Sequence, residues 1–504
     1  MQKNIRRIAL LLALSMLISS LGACALVSIN DPYAETMEGD FVSTDASTEE
    51  STSPDEDQDK QETYLPYEKD GMTALNALRE SNLNQSTLLI ATTDTSHAFS
   101  QDQDGTLSRS DSIYAERAKR INWVEEKYNA RIVTFTYTED ALYCEIEKSK
   151  LSDTQYVSDY YAIPAHMLGK LCAGDFLMNL RSLPFTDYTQ PYFDGDAMNA
   201  MSAAYDIYAV SGDFTQAYDE LSAIYFNKDL VSDDLYQTVA NGTWTWEKYF
   251  AYAKEATNET SGVSGDNLGL LSLADVEMDM WGSIDFHPIR AGLDAQPKLR
   301  STSTVTDALQ SMADLLFENV YKKETTLPLE KDTENDGGTS RFTDGKTLFY
   351  HGALSKMYDW ADISVNWGIL PLPKFNESQK GYRTGADQSS VLCVPFTVVE
   401  SDKTGLILQA LFASSYHAYK DLYLTDALAY YIRDEKTADM LDIIVSGTSF
   451  DFSVVMASGY PEISAATLDT LHETVTSKSS ARSLFKKTKG ALEKLLSASF
   501  YADR

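Results

Sequence analysis

The apolar and polar positions in the first part of the folded chain alternate between two periods. Residues 86–93 and 159–163 are short, mainly apolar runs and residues 132–137 are β-branched and aromatic, so all three predict strands. Residues 112–129 and 140–150, which lie between them, have helical spacing. The apolar face of the first predicted helix consists of Tyr114, Ala118, Ile121 and Tyr128. This order of elements predicts an α/β domain with a mainly parallel sheet, whose ligands are expected at the carboxyl ends of the strands.

A strand and a helix are also predicted within residues 221–257. The run Leu-Ser-Ala-Ile-Tyr-Phe-Asn-Lys-Asp-Leu at 221–230 is typical of a buried strand and its exit. After a loop, Thr245 can cap a helix, because a threonine hydroxyl accepts a hydrogen bond from an N–H group of the first turn. The side chains at positions i, i+3, i+4 and i+7 of that helix are Trp246, Tyr249, Phe250 and Ala253. They form one apolar face, which predicts that the helix packs on a core.

Residues 1–23 have the organisation of a bacterial secretory signal peptide. A basic start without acids precedes an apolar run at 8–21, which is short for a membrane-spanning helix. The next residues, Leu-Gly-Ala-Cys at 21–24, resemble the lipobox, in which the cysteine is acylated and becomes the new N-terminus. We therefore predict lipid attachment at Cys24 and an extracytoplasmic anchor on a cell membrane, as on the surface of Gram-positive cells. The alternatives are an ordinary signal peptide with an incidental cysteine and a retained anchor helix.

Residues 24–63 are predicted to form a disordered tether behind the lipid. Residues 31–63 hold twelve acids and one lysine with few large apolar side chains, so this segment cannot bury enough surface to fold. It contributes −11 to the net charge of −33, and residues 64–504 carry −25. Such a charge argues against a nucleic-acid partner and against a polybasic membrane-surface binder. The remaining chain is long enough for a large core and needs no disulfide framework.

Motifs for catalysis, nucleotide binding or metal binding are missing from the sequence. It contains no HExxH, GxSxG or complete nucleotide-binding loop, and its six histidines form no pair at i and i+4. Cys144, Cys172 and Cys393 are expected to be small buried apolar side chains, with at least one free thiol among them. We therefore expect no enzyme activity, no metal and no cofactor.

One acidic loop has some features of a calcium site. Asp102, Asp104 and Asp111 resemble half of a calcium-binding loop, but Ser100 replaces the first acid and no bidentate glutamate is present. A solvated loop is the main interpretation, and a weak calcium site stays the alternative.

Several segments of the body resemble the family 1 extracellular solute-binding proteins of bacterial ABC transporters, a group that includes sugar binders. Members have a hinge strand ending in an apolar-Tyr-Asn-Lys-Asp pattern, a loop and a helix opening with Trp-Thr-Trp, and residues 221–257 resemble this arrangement. Further similar segments follow in the family's order at 342–346 (Phe-Thr-Asp-Gly-Lys), 368–374 (Gly-Ile-Leu-Pro-Leu-Pro-Lys), 382–394 and 431–442. The resemblance spans roughly residues 64–504.

The resemblance implies a two-lobed α/β fold of the periplasmic-binding-protein type, with hinge strands and an interlobe cleft. Lobe 1 would comprise residues 64–215 and 375–430, and lobe 2 residues 216–374 and 431–504, mostly helical at its end. The implied function is a monomeric, membrane-anchored extracellular receptor. It would capture a small solute, expected to be a carbohydrate, and deliver it to the permease subunits of an ABC transporter. Lobe closure would be driven by a ligand that touches both lobes only in the closed state.

Candidate ligand-binding residues follow from the resemblance, residue by residue. Aromatic residues make up 11% of the chain, and sugar rings stack on aromatic faces. Trp281 lies where family members send a lobe-2 segment into the cleft. The other candidates, which follow strands or lie near the lobe crossings, are Asp94, His166, Tyr208, Asp213, Glu220, Trp360 and Asp387. After Gly352 this chain lacks the Pro-Trp of maltose-type members, which argues against a long maltodextrin although Trp360 and Trp367 are nearby in sequence.

Two other functions compete with solute import. A surface lipoprotein could use the same fold for sensing or adhesion, and a histidine-kinase gene beside its own would favour that hypothesis over a permease operon. A hydrolase is the second competitor, and the missing nucleophile motif argues against it.

Overall fold

The structure, a computed structural model, describes residues 65–93, 111–151, 157–202, 205–257, 273–322, 339–498 and residue 500. The chain divides into two units, Met1–Thr63 and Tyr64–Arg504, and all described residues belong to the second. Several predicted features lie outside the described residues: the lipid attachment at Cys24, the tether, Asp94, and the acidic loop with Asp102, Asp104 and the side chain of Asp111.

Helices alternate with strands in the first half of the body and predominate towards its end. The helices up to residue 316 are α1 (Pro66–Ala77), α2 (Asp111–Tyr128), α3 (Glu139–Leu151), α4 (Leu168–Ala173), α5 (Gly195–Met201), α6 (Leu235–Ala240), α7 (Trp246–Ala256), α8 (Leu273–Ser283) and α9 (Thr302–Leu316). They are followed by α10 (Thr339–Thr343), α11 (Lys356–Asp359), α12 (Ser401–Ser414), α13 (Lys420–Asp426), α14 (Glu435–Ser446), α15 (Phe452–Val455), α16 (Pro461–Ala466), α17 (Leu468–Ser477) and α18 (Ala481–Ala498). Single 3₁₀ turns occur at Ala165–Met167, Leu180–Ser182, Asp213–Thr215 and Lys228–Leu230, and π-helical turns at Phe317–Tyr321 and Ala427–Tyr431.

The strands are short and belong to four sheets. They are β1 (Ser86–Thr92), β2 (Ala130–Thr136), β3 (Tyr160–Pro164), β4 (Ser222–Asn227), β5 (Ile289–Gly292), β6 (Ala295–Leu299), β7 (Phe349–Ala353), β8 (Trp367–Leu370), β9 (Thr384–Gly385), β10 (Ser390–Cys393) and β11 (Thr448–Ser449). Besides the two larger sheets described below, β5 and β6 form an antiparallel hairpin and β9 pairs in parallel with β11. The mixture of helices and strands confirms the predicted α/β class.

The first sheet is built from the strands that the N-terminal pattern predicts. Its order is β10-β3-β1-β2. β1 pairs in parallel with both β2 and β3, with Ser86 opposite Ala130 and Ile90 opposite Tyr160, and β10 adds an antiparallel edge. Parallel neighbours require crossover connections, which contain α2 and α3. Each predicted boundary between residues 86 and 163 lies within two residues of the observed one, so the predicted order of elements is confirmed.

The buried face of α2 differs from the predicted one. Tyr128 is buried as expected, but the rest of the buried stripe contains two arginines, Arg117 and Arg120, whereas Ala118 and Ile121 are only half-buried. The prediction was wrong on this point because periodicity assigns a charged residue to the solvent side unless its partners are known.

Arg120 is buried because acceptors surround its guanidinium. Its Nε lies 2.5 Å from Glu116 Oε1, its Nη1 donates to the carbonyl oxygen of Ser414 at 2.7 Å, and its Nη2 donates to that of Tyr67 at 2.9 Å. A buried charge is tolerated only when it is paired and hydrogen-bonded in this way. The side chain thereby ties α2 to α1 and to the end of α12.

The second sheet has three antiparallel strands in the order β7-β4-β8, with the predicted strand at its centre. Five of the six residues of β4 are buried, as expected for a central strand. Helix α7 begins at the predicted cap, where Thr245 Oγ1 accepts a hydrogen bond from Lys248 N–H at 3.4 Å. Its buried residues are Trp246, Tyr249, Phe250 and Ala253, the predicted face.

Two segments that carry the family resemblance contact each other directly. Lys374 N–H donates to Trp244 O at 3.1 Å, and Trp246 N–H donates to Lys374 O at 3.0 Å. The indole of Trp244 adds a bond from Nε1 to Pro371 O at 2.9 Å. In the same stretch, a Cβ atom at Gly368 would collide with Tyr236 Oη, so glycine is required there. The Trp-Thr-Trp and Pro-containing segments therefore form one structural unit next to the second sheet.

One hydrophobic cluster joins the second sheet to a segment that is predicted to belong to lobe 1. This cluster includes Tyr225 and Trp367 together with Tyr419 and Tyr423. Tyr419 and Tyr423 both lie before residue 430, where lobe 1 is predicted to end. The division into lobes as a whole stays a prediction.

None of the helices in the described part of the chain is both long enough and apolar enough to cross a membrane. Cys393 is buried, Cys144 and Cys172 are half-buried, and none of these three described cysteines forms a disulfide bond.

Candidate functional site

A cavity of about 1180 Å³ is formed by segments that lie far apart in the sequence. We call residues 65–284 the first half of the body and residues 285–500 the second half. The first half contributes α1, α5 and the turn Asp213–Thr215 to the cavity, and the second half contributes the β5–β6 hairpin and the segment around β11. Its volume exceeds the range of about 300–1,000 Å³ that is typical of small-molecule sites. A solute of several rings therefore fits.

Four aspartates, which we call the acidic group, line the cavity from the first half: Asp70, Asp194, Asp196 and Asp213. Asp194 also caps α5, since its Oδ1 accepts a hydrogen bond from Ala197 N–H at 2.9 Å. Asp213 Oδ2 accepts a hydrogen bond from His417 N–H at 2.5 Å, and His417 Nδ1 lies 2.9 Å from Asp70 Oδ2. The carboxylates are thus held in place and offer acceptors to a hydroxyl-rich solute.

The protonation of Asp213 is displaced from that of an exposed carboxyl group. Burial raises the pKa of Asp213 to about 6, and the hydrogen bond from His417 N–H and the charge of His417 offset only part of this effect. The group therefore changes charge close to neutral pH, within the cavity.

Basic side chains line the cavity from the second half. Arg290 lies on β5, Arg300 directly follows β6, and Arg383 directly precedes β9. We call these three residues the arginine group. Arg383 Nε lies 3.4 Å from Asp285 Oδ1, and Arg300 Nε donates to the carbonyl oxygen of His287 at 2.5 Å.

His287 is held between two carboxylates next to the arginine group. Its Nδ1 lies 2.6 Å from Asp451 Oδ2, and its Nε2 lies 3.7 Å from Asp285 Oδ1. Burial acts to lower the pKa of His287, but the hydrogen bond and charge of Asp451, helped by Asp285, outweigh burial and raise the pKa above its usual value. The imidazole is therefore biased towards its cationic form.

Aromatic and neutral polar groups complete the lining. The aromatic side chains are Tyr67, Tyr218, Phe450 and Phe452. Of these, Tyr67 is half-buried and the other three are almost fully buried. The amides of Asn199 and Gln216 and the hydroxyls of Ser446, Thr448 and Ser449 add donors and acceptors. Apolar surface with convergent polar groups is the usual composition of a small-molecule site.

Of the residues predicted for the site, Asp213 lines this cavity and Trp281 lies behind it. The Trp281 side chain is only 2% exposed, and its Nε1 donates to Asp451 Oδ1 at 3.3 Å. It borders a void of about 20 Å³, which Asp387 also lines. This void has room for about one water molecule but not for a sugar ring. Asp387 is half-buried there, its pKa is raised by burial, and its carbonyl oxygen accepts a hydrogen bond from His166 N–H at 2.9 Å.

Among the described residues, His166, Tyr208, Glu220 and Trp360 do not line the large cavity. His166 Nε2 lies 3.0 Å from Glu139 Oε2, and Tyr208 donates to Asp206 Oδ2 at 3.2 Å. Glu220 is exposed.

Trp360 is assigned to the core. The side chain is 1% exposed, its ring stacks on Phe342 with 4.8 Å between centroids, and Tyr225 packs edge-on at 4.9 Å. Its ring is therefore occupied by core neighbours.

Sequence reasoning missed the arginine group and His287. A hairpin with arginines on and just after its strands was the available signal, but isolated arginines between short strands have no characteristic spacing. Within the described residues, no group of three or more His, Cys, Asp or Glu side chains is arranged to hold a metal ion.

Comparison with solved structures concerns the whole body. A cyclo/maltodextrin-binding protein complexed with maltotetraose matches with a TM-score of 0.50 at 14% identity, covering 82% of this chain and 98% of that one. A family 1 extracellular solute-binding protein from Bifidobacterium longum subsp. infantis matches with a TM-score of 0.50 at 11% identity, covering 82% of this chain and all of that one. The chain has the fold of the extracellular solute-binding proteins. No protein-family model and no curated protein matches the sequence.

At these identities the likeness concerns the solute-binding fold and leaves the ligand open. The predicted fold class and the resemblance drawn from the sequence motifs are confirmed at that level. The large cavity is lined by residues from both halves of the body.

Proposed function

We propose that this protein is a membrane-anchored extracellular receptor that captures a carbohydrate and delivers it to the permease of an ABC transporter. The observation that carries the proposal is the cavity of about 1180 Å³, lined from both halves of a solute-binding fold by carboxylates, amides and an accessible tyrosine ring. These groups suit sugar hydroxyls, which donate to carboxylates, and the apolar faces of sugar rings, which stack on aromatic side chains.

Capture by closure is supported by contacts between the hairpin and the first half. Asn199 on α5 accepts a hydrogen bond from Leu293 N–H at 3.1 Å, and Arg181 Nη2 lies 3.0 Å from Asp294 Oδ1. Leu293 and Asp294 form the turn between β5 and β6. A solute that bridges the acidic group and the hairpin would favour the state in which these elements are close.

Attachment to the membrane rests on the N-terminal sequence alone. The residues around Cys24 resemble a lipobox, and the acidic Ser/Thr-rich segment behind them would act as a spacer. The proposal places the receptor at the extracytoplasmic face, as a monomer that meets its permease there.

A thermal-shift screen of the protein without its signal peptide tests the proposed function. Maltotetraose, shorter maltodextrins, uronic-acid oligomers, amino-sugar oligomers and peptides are the probes. A carbohydrate at 100 times its Kd stabilises the folded protein by about 2.7 kcal/mol, a readily measured rise in melting temperature.

Matched variants assign the effect to the cavity. Asp213→Asn and Asn199→Ala should weaken binding of the stabilising sugar. Asp307→Asn, an exposed carboxylate on α9 outside the cavity lining, should not. Failure of every carbohydrate to stabilise the protein, or equal affinities for all three variants, would contradict the proposal. Binding together with normal sugar uptake in cells lacking the protein would favour sensing or adhesion over import.

A further inference from the structure

The arginine group gives the cavity a feature that a neutral sugar does not require. Arg290, Arg300 and Arg383 line one cavity in a body whose residues 64–504 carry a net charge of −25. Guanidinium groups are bulky and costly to gather, because like charges repel one another unless an anion lies between them. The lining also holds six aspartates, so an anionic solute would bind where an arginine lies outside any ion pair.

Two carboxylates next to the arginine group already have partners. Asp285 lies beside Arg383 and His287, and Asp451 is occupied by His287 and by Ser453 N–H, which donates to its Oδ1 at 2.9 Å. Within the described residues, Arg383–Asp285 is thus the one ion pair of the arginine group, and Arg290 and Arg300 have none, although the lining also includes the acidic group and Asp421. The pKa of His287 is raised, which adds a cationic group beside Asp285 and Asp451.

The guanidinium groups remain available to a solute. Arg290 is exposed, and within the described residues its side chain has no hydrogen bond or ion pair. Arg383 is 38% exposed, and its Nε lacks hydrogen-bond geometry towards Asp285. Arg300 Nε donates a hydrogen bond to the carbonyl oxygen of His287. This bond orients the guanidinium group and leaves its two terminal nitrogens available for a solute. A guanidinium group can donate two parallel N–H bonds, which match the two oxygens of a carboxylate.

We propose that the captured carbohydrate is an acidic saccharide, an oligomer containing uronic acid, whose carboxylates are bound by Arg290 and Arg383 while its hydroxyls bind the acidic group. This inference rests on the proposed function and names its ligand class. A carboxylate is favoured over a phosphate because Asp194 and Asp196 start a helix that packs against β5, and these acids repel a dianion more strongly than a monoanion.

The test compares saccharides of similar size and different charge by calorimetric titration of the protein without its signal peptide. The probes are a galacturonic-acid trimer, maltotriose and a glucosamine trimer, with glucose 6-phosphate and glucuronic acid as a monomer pair. The galacturonic-acid trimer should bind at least about tenfold more tightly than maltotriose, and its affinity should fall as the salt concentration rises. Glucuronic acid should bind more tightly than glucose 6-phosphate.

Variants locate the bound carboxylate. Arg290→Ala should weaken binding of the galacturonic-acid trimer by about tenfold or more and leave maltotriose nearly unchanged, and Arg290→Lys should lie between Arg290→Ala and the natural protein. Arg482→Ala removes the same charge from a side chain on α18 that is 74% exposed and outside the cavity lining, and should change neither affinity.

The outcomes separate this inference from the proposed function. If maltotriose or the glucosamine trimer binds tightly and the acidic trimer binds weakly, the acidic ligand class is refuted. The proposed receptor function is then still supported. An equal loss of affinity for acidic and neutral trimers in Arg290→Ala also overturns it, because the arginine then serves hydroxyls. Tighter binding of glucose 6-phosphate than of glucuronic acid would refute the carboxylate and indicate that the arginine group binds a phosphate. No binding by any saccharide overturns both proposals.

Discussion

Replacing Trp281 with alanine separates a core role of this side chain from direct contact with the solute. The indole is 2% exposed on α8, belongs to the same hydrophobic cluster as Met280, and meets the ring of Phe286 at 6.2 Å. Its one polar atom donates to Asp451. The structure therefore predicts that truncation of Trp281 to alanine creates a buried void next to the large cavity.

The expected loss of stability follows from the size of the buried ring. Truncation of a buried tryptophan to alanine costs about 3–5 kcal/mol of unfolding free energy. Unfolding entropy is about 2.1 cal/mol/K per residue, so a body of the size of Tyr64–Arg504 loses about 4 °C of melting temperature if it unfolds as one unit. If the two halves unfold separately, the loss is about twice as large for the half that contains Trp281.

Affinity should change much less than stability. Asp451 keeps its hydrogen bond from Ser453 N–H and its contact with His287 when the indole is lost. The Kd of a saccharide found in the thermal-shift screen is therefore expected to stay within about threefold. Trp281→Phe keeps an aromatic ring, loses the hydrogen bond and part of the buried apolar area, and should cost less stability than Trp281→Ala.

Calorimetric melting and calorimetric titration of both Trp281 variants measure the two effects independently. An unchanged melting temperature of Trp281→Ala, together with a thirtyfold or larger loss of affinity, would refute the reasoning, because about 2 kcal/mol of binding would then come from direct stacking on the ligand.

Three further predictions concern other parts of the chain. Arg120→Met should lower the unfolding free energy by about 3–5 kcal/mol in denaturant titration, because Glu116 and the carbonyls of Ser414 and Tyr67 lose their donor; an effect below 1 kcal/mol would contradict it. Asp213→Asn should stabilise the protein most above pH 6 and progressively less towards pH 4, since the raised pKa of Asp213 means that its ionised form is disfavoured in the folded state; a pH-independent difference would disagree. Cys24→Ala should move the protein from the membrane to the soluble fraction of cells, and unchanged membrane partition would contradict the lipid anchor.

The fold was predictable wherever one local period determines burial. The elements of residues 86–163 were assigned correctly because short apolar or β-branched runs alternate there with segments of helical spacing. The cap at Thr245 and the buried face of α7 also followed from spacing alone. The buried arginines of α2 did not, because Arg120 donates to carbonyl groups of α1 and α12 and Arg117 to that of Gln216, all of them distant in sequence.

The candidate site was only partly predictable, for a related reason. Asp213 was chosen and lines the cavity, whereas Trp360 was chosen as a large aromatic residue near a family landmark and packs in the core. A large ring is driven into a core by the same apolar area that would let it stack on a sugar. Composition and spacing therefore cannot separate the two roles.

Asp451 connects these observations, because core and cavity share its carboxylate. One oxygen accepts a hydrogen bond from the buried indole of Trp281, and the other lies 2.6 Å from His287 Nδ1 in the cavity lining. Asp451 is 7% exposed, so its charge is stabilised by these neighbours rather than by water. Packing around Trp281 thereby sets the position of His287 and, through its carbonyl, the direction of Arg300. Trp281, placed in the cleft by family resemblance, is thus a neighbour of the site that acts through Asp451 on the groups proposed to meet the solute.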